Sequence, residues 1–384
     1  MGTVSVVVHV GLPKTGTTYL QRVLAEHREQ LREAGVLHPR LRPGAHFEAA
    51  VEVRGSAAKF GLDPTAIAGT WEQLCAEARA WHEQGGTAVL GHEVLGGASP
   101  SEVAGALAPL AGCEVHVVAT ARDLGRQATA HWQEEVKLGA DWTFADLERT
   151  QLRADTGRDQ GPDAGGRRPH FWHAQDWVDA LTRWGGGLPP ERVHLVVCPA
   201  PGAPPGELWR RFADAVGPGA GALRPDDAAL PPANPSLPPA EVALLREVHR
   251  ALAVRAERGG EALDRSTALR LVKREWAERE LARGGPAART PAALGPLLTE
   301  VTEAWVTETR ASGWRVHGSR ADLRDLSPVV GEPGDPHPDQ PPPAGSDPDA
   351  LAAAFLERAR EQAGQATTAR RGLLARLRRG KGPA

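Results

Sequence analysis

Residues Val4 to Val10 form a β-branched, nearly continuous apolar run, and beyond Gly16 the apolar positions Leu20, Val23, Leu24 and Leu31 recur at helical spacing until Gly35. A run that is apolar at every position suits a strand covered on both faces, as in a parallel sheet. Spacing by three and four suits a helix with one buried stripe, and a glycine ends it. Strand, loop and helix are therefore predicted in that order. Short apolar runs recur at Thr87–Gly91, Glu114–Asp123 and Arg192–Pro199, and helical patterns follow the last two over Leu124–Gly139 and Gly206–Gly217. Strands alternating with helices predict an α/β fold built on a doubly wound parallel sheet flanked by helices. Such sheets collect ligands at the carboxyl ends of their strands.

After about Leu237 the strand signals stop, and Pro238–Glu257 and Ala268–Gly285 read as amphipathic helices. The expected organisation is an α/β core over 1–235, a C-terminal helical extension packed on it over 236–328, a proline-rich disordered linker over 329–347, and an Ala/Arg-rich, partly helical tail over 348–384. The basic end of that tail reads as a solvated segment, with a weak contact to an anionic surface as the alternative. No internal repeat is visible.

Composition narrows the classes. A formal net charge of −3 gives the chain no overall basic footprint for nucleic acid. Cys75, Cys113 and Cys198 have neither metal-ligand spacing nor the density of a disulfide framework, which fits a reducing compartment. The first residues lack the basic flank and small-residue cleavage pattern of a secretory signal, and no stretch approaches the ~18 apolar residues that span a bilayer. A cytoplasmic protein without an integral membrane segment is expected.

The chemistry starts in the first loop. Gly11 and Gly16 have the spacing of a nucleotide-binding loop, but Thr17 stands where that loop carries its lysine, and Lys14 sits inside instead. A strand turning tightly into a helix gathers backbone N–H groups and the positive end of a helix dipole around one point, which suits a phosphate. Gly16 permits close backbone approach, Thr15, Thr17 and Thr18 bring hydroxyls, and Lys14 brings a mobile charge. Residue chemistry leaves two options open, an altered ATP loop or a loop for another phosphate.

The run Pro13-Lys14-Thr15-Gly16-Thr17-Thr18 resembles the 5′-phosphosulfate loop of sulfotransferases that use 3′-phosphoadenosine 5′-phosphosulfate (PAPS), and His9–Gln21 is similar to bacterial members in particular. The resemblance implies a P-loop-type fold in which Thr15, Gly16, Thr17 and Thr18 hold the 5′-phosphate. Lys14 would neutralise charge on the bridging oxygen and the sulfuryl group.

Two further blocks resemble the same family. Thr120–Leu124 and Trp132-Gln133-Glu134 look like those of actinobacterial sulfotransferase-like proteins, which implies that Arg122, at a strand end, binds the 3′-phosphate. The family's serine, eight residues further on, falls here at Ala130; Thr129 beside it, or Arg126 one turn after Arg122, would have to stand in. His92 and Glu93 occupy the region of the catalytic base, a group that takes the acceptor's proton. Neighbours on an extended stretch point to opposite sides, so one of the two is expected to face the acceptor. Phe171, Trp172, Trp177 and Trp184 read as helix-packing residues, with an acceptor lining as the alternative, and Ser236, after Asn234, reads as a helix N-cap. The resemblance extends from Val4 to about Arg310.

Together these readings predict a PAPS-dependent sulfotransferase acting on a hydroxyl or amine of a small molecule or carbohydrate, with PAPS as co-substrate and no metal. A P-loop kinase or NTPase is the rival, weakened by the displaced lysine and by Arg122 preceding Asp123 where a magnesium aspartate would end a strand. A non-catalytic nucleotide-binding protein is the third reading, raised by Ala130.

Overall fold

The computed structural model describes residues 5–154, 169–225, 236–259, 262–283, 288–326, 331–332, 335 and 337–362. Its centre is a six-stranded sheet, β1 (Val6–Gly11), β2 (Val36–Leu37), β3 (Thr87–Gly91), β4 (Val115–Ala121), β5 (Val193–Val197) and β6 (Arg315–His317), in the order β2-β3-β1-β4-β5-β6. Every pairing is parallel. All residues of β1, β4 and β5 are buried, which is why their sequences are mostly apolar rather than alternating, with His9, His116, Thr120 and His194 as the buried polar exceptions. From β1 the chain fills one side of the sheet through β2 and β3, then crosses to β4 on the other. The strand order thus reverses beside β1, and the crevice at the carboxyl ends of β1, β3 and β4 is where ligands gather in such sheets.

Four helices bear on that crevice, α1 (Thr17–Glu26), α2 (Leu124–Lys137), α3 (Trp177–Gly185) and α4 (Glu207–Val216). Val7, Val89, Val118 and Val196 form one face of the sheet and pack with Leu20, Val23 and Leu24 of α1 and with Trp209, Phe212 and Val216 of α4. Each such aliphatic side chain contributes roughly 1.5–3 kcal/mol when fully buried. Val193 points to the opposite face, where a Cβ added to Gly185 of α3 would lie 2.6 Å from its Cγ2. Helices therefore cover both faces, as predicted.

The expectation that strands cease after Leu237 does not hold. β6 is made at Arg315–His317 by pairing with His194–Val196 of β5. Three residues with a single aliphatic among them carry no readable period, so only the neighbouring strand defines this one.

The chain divides into two compact units. The first comprises Met1–Trp132, Phe144–Pro235 and Ala288–Pro338 and contains the whole sheet. It also contains the helix Gly295–Ala311, whose Trp305 meets Trp172 and Trp177 edge to face at centroid distances of 5.8 and 4.7 Å. Part of the proline-rich stretch belongs here too, where the Gly331 N–H donates to Thr290 O over 2.7 Å. The second unit comprises Gln133–Thr143, Ser236–Ala287 and Asp339–Ala384, and its long helix Pro239–Glu257 buries Val242, Leu245 and Val248. That helix begins from Pro238 without a side-chain cap, so Ser236 is not its N-cap; Asn234 lies outside the described residues. In the same unit residues 348–362 are helical, and Phe355 packs on Trp276. Positions 329, 330, 333, 334 and 336 of the expected linker, and 363–384 of the tail, lie outside the described residues. Among the described residues no helix is long and apolar enough to cross a membrane.

Candidate functional site

β1 runs into α1 through a loop whose shape depends on three left-handed residues, Gly11 (φ 102°), Lys14 (φ 64°) and Gly16 (φ 81°). Gly16 caps α1, and a Cβ there would lie 2.3 Å from Leu208 Cδ2 of α4. The left-handed conformation calls for glycine here, whereas the Leu208 methyl is the end of a flexible side chain that can turn aside. The first-turn N–H groups of a helix point out along its axis, where the dipole favours an anion. Lys14, Gly16 and Thr18 are partly buried at this end, and Thr17 is buried.

Thr15 behaves differently from its expected part in holding phosphate through its hydroxyl. It is fully buried, and its hydroxyl donates to Leu12 O over 2.5 Å and meets Thr120 Oγ1 of β4 at 2.5 Å. Its carbonyl accepts from Cys198 Sγ, just beyond β5, at 3.0 Å. Burial pushes that thiol up to about 11, so it stays a protonated donor. Thr15 therefore ties the loop to the two strands beneath it.

Arg122 follows β4 at the same edge. Its Nη2 donates to Arg126 O (3.1 Å) and to Gln127 Oε1 (2.5 Å), while its buried Nε has no hydrogen-bond partner among the described residues. Burial, then the neighbouring Arg126, lower its pKa to about 10, which still leaves it cationic at neutral pH. Arg126 is held by Asp123, through Nε at 2.5 Å, and by Pro199 O at 3.0 Å. The Thr129 hydroxyl reaches back to Arg126 O at 3.4 Å within α2. Both expected stand-ins for the absent serine thus make hydrogen bonds within the protein, Arg126 through Nε and Nη2 and Thr129 through its hydroxyl.

His92 and Glu93 follow β3, and the structure corrects the expectation that they point apart. His92 is extended, but a 3₁₀ turn starts at Glu93 and runs to Gly97, which breaks the strand alternation. His92 Nδ1 accepts from the Val94 N–H and lies 3.3 Å from Glu93 Oε2, which also accepts from Gln21 Nε2 of α1 at 2.7 Å. Burial lowers the His92 pKa against the opposing pull of Glu93, so the ring is neutral near pH 7. The turn stands against the loop itself, since a Cβ on Gly11 would lie 2.7 Å from Glu93 Cα.

The turn is held from the other face of the sheet. Trp184 Nε1 donates to Leu95 O at 3.0 Å, Arg183 Nη2 donates to Gly96 O at 3.0 Å, and His173 Nε2 is 3.3 Å from Gly97 O. Phe171, Trp172, Trp177 and Trp184 are all buried, so the aromatic segment packs in the interior and positions the turn.

The structure thus brings Lys14, Thr17, Thr18, Glu93, His92 and Arg122 to adjoining carboxyl ends of β1, β3 and β4. Three residues that join them, Gln21, Thr120 and Gln127, escaped sequence reasoning. Gln21 and Thr120 lie inside blocks that carry the resemblance but were given no role, because each of the three acts through a partner distant in the chain. No family model matches the chain, and no curated protein or solved structure matches it.

Proposed function

We propose that this chain is a PAPS-dependent sulfotransferase of P-loop type, working in the cytoplasm on a hydroxyl or amine of a small molecule or carbohydrate. The observation that carries the reading is the placing of a carboxylate, Glu93, against the backbone of a lysine-bearing strand-to-helix loop. A buried arginine with an unpartnered Nε at the next strand end supports it.

In this reading Glu93, steadied by Gln21, takes the proton of the acceptor as its oxygen or nitrogen attacks sulfur. The bond from sulfur to the bridging phosphate oxygen breaks, and its electron pair leaves with adenosine 3′,5′-bisphosphate. Lys14 and the start of α1 stabilise the charge that grows on that oxygen. Arg122 holds the 3′-phosphate, and His92, neutral and fixed by Val94, orients the turn. The residues' main work is in-line placement and charge stabilisation.

Calorimetric titration with adenosine 3′,5′-bisphosphate, and separately with ATP and Mg²⁺, tests the reading. Saturable binding of the bisphosphate without metal is expected. Tight ATP binding that needs Mg²⁺, with no response to the bisphosphate, would move the chain to the kinases and NTPases. A second reading, a nucleotide-binding protein without transfer activity, is raised by Ala130 standing where the family carries its serine. Bisphosphate binding with no transfer across a broad acceptor panel would establish it.

A further inference from the structure

Gln127, on the first turns of α2, is almost entirely buried at 1% exposure, and its amide is fully engaged. Its oxygen accepts from Arg122 Nη2 at 2.5 Å. Its nitrogen donates to Pro13 O, inside the loop, at 3.0 Å, and also to Gln175 Oε1. One amide therefore joins the carbonyl just before Lys14 to the guanidinium after β4, and a buried amide with both N–H groups and its oxygen engaged has a single orientation.

We infer that Gln127 is a positioning residue that couples the two anion sites, so that fixing Arg122 also fixes the backbone of the Lys14 loop. The inference rests on the functional reading above only in taking both ends as phosphate sites. The link itself is a property of the chain without ligand. Its physical basis is that the oxygen and nitrogen of an amide lie in one rigid plane. A guanidinium drawn toward a phosphate orients that plane, and the plane sets the place of the Pro13 carbonyl. Gln175, equally buried, holds the second N–H and prevents the amide from rotating away.

Hydrogen exchange followed by mass spectrometry on the full-length protein tests this, with Gln127→Met, which keeps the volume and removes all three bonds, and Arg122→Met, which leaves Gln127 without its donor. Without ligand, both variants are expected to speed exchange of the peptide covering residues 11–18, by on the order of tenfold for a lost buried hydrogen bond, while peptides in β4 and β5 exchange as in the parent. Loop exchange at the parent's rate in Gln127→Met, or an unaltered loop in Arg122→Met, would overturn the coupling. A general destabilisation would speed β4 and β5 as well, and that outcome also counts against a positioning role.

A second arm uses adenosine 3′,5′-bisphosphate and adenosine 5′-monophosphate as probes. In the parent the bisphosphate should slow loop exchange more than the monophosphate does at matched saturation, and Gln127→Met should abolish that difference. Equal extra protection in parent and variant overturns the coupling. If neither nucleotide binds the parent, the functional reading fails, and the ligand-free arm still decides the link.

Discussion

Thr15 and Thr120, 105 positions apart in the chain, hold their hydroxyl oxygens 2.5 Å from one another beneath the candidate phosphate loop. Thr15 already donates to Leu12 O, so Thr120 is the donor between them. Thr120→Val keeps the shape and removes that donor, leaving Thr15 with an unfilled acceptor site in a buried place. A loss of about 1–2 kcal/mol is expected, read as a lower urea midpoint, together with weaker bisphosphate binding. Stability and affinity equal to the parent's would show that this contact does not frame the loop.

Gly16 and Gly35 allow a paired measurement. Both are left-handed, at φ 81° and 85°, but a Cβ on Gly16 meets Leu208 at 2.3 Å whereas one on Gly35 meets nothing within 4 Å. Gly35→Ala should cost about 1 kcal/mol from conformation alone. Gly16→Ala should cost more only by what Leu208 loses in turning its methyl aside, and should also weaken nucleotide binding, because Gly16 sets the start of α1. Equal losses in the two variants would mean that the Leu208 contact relaxes freely.

Glu93 and Gln21 separate proton transfer from its support. Under the proposed function, Glu93→Gln should lower kcat by roughly 10²–10⁴-fold while bisphosphate affinity stays near that of the parent. Gln21→Leu retains the carboxylate and loses the 2.7 Å hydrogen bond, so a smaller fall in kcat is expected. Turnover by Glu93→Gln at the parent's rate would remove Glu93 as the base and direct attention to His92.

Acid should destabilise the fold well before carboxylates protonate. His116 Nδ1 lies 2.8 Å from His194 Nε2, and His194 Nδ1 lies 3.0 Å from His317 Nε2, a chain of imidazoles across β4, β5 and β6. Glu114 Oε1, an acceptor 3.1 Å from His116 Nε2, places a proton on each Nε2 in turn. Arg192, Arg315 and Asp214 are the charged groups around it. Burial lowers His194 to about 3, and it lowers His9 and His46 to about 4, with His116 and His317 also shifted down. A folded pKa below the unfolded value near 6.5 means that unfolding takes up protons, so stability is whole above that pH and falls as pH drops toward 4. Each of His194, His9 and His46 should cost roughly 2 kcal/mol by pH 5. Urea midpoints measured from pH 7.5 to 5 should fall steadily, and a flat profile would refute the neutral imidazole chain.

Much of the core was legible because its signals are local. The β-branched run of β1, the Gly11 and Gly16 spacing and the arginine after β4 each depend on a few consecutive residues, and periodicity or backbone preference reveals such features directly. The helical pattern predicted to run unbroken to Gly35 is instead two helices, Thr17–Glu26 and Arg28–Glu33, separated at His27. Helices on both faces followed from strands without polar alternation. What the tertiary structure alone decided are relations between segments far apart in the chain. β6 has no period of its own and exists through β5. Glu93 joins His92 on one side because the chain leaves the strand at that residue. Gln127 links Pro13 to Arg122 by hydrogen bonds whose geometry no spacing encodes, and the Thr15 hydroxyl is drawn inward because Thr120 waits beneath it. Local sequence sets what each segment prefers to be, whereas a side chain's partner is set by the packing of all segments together.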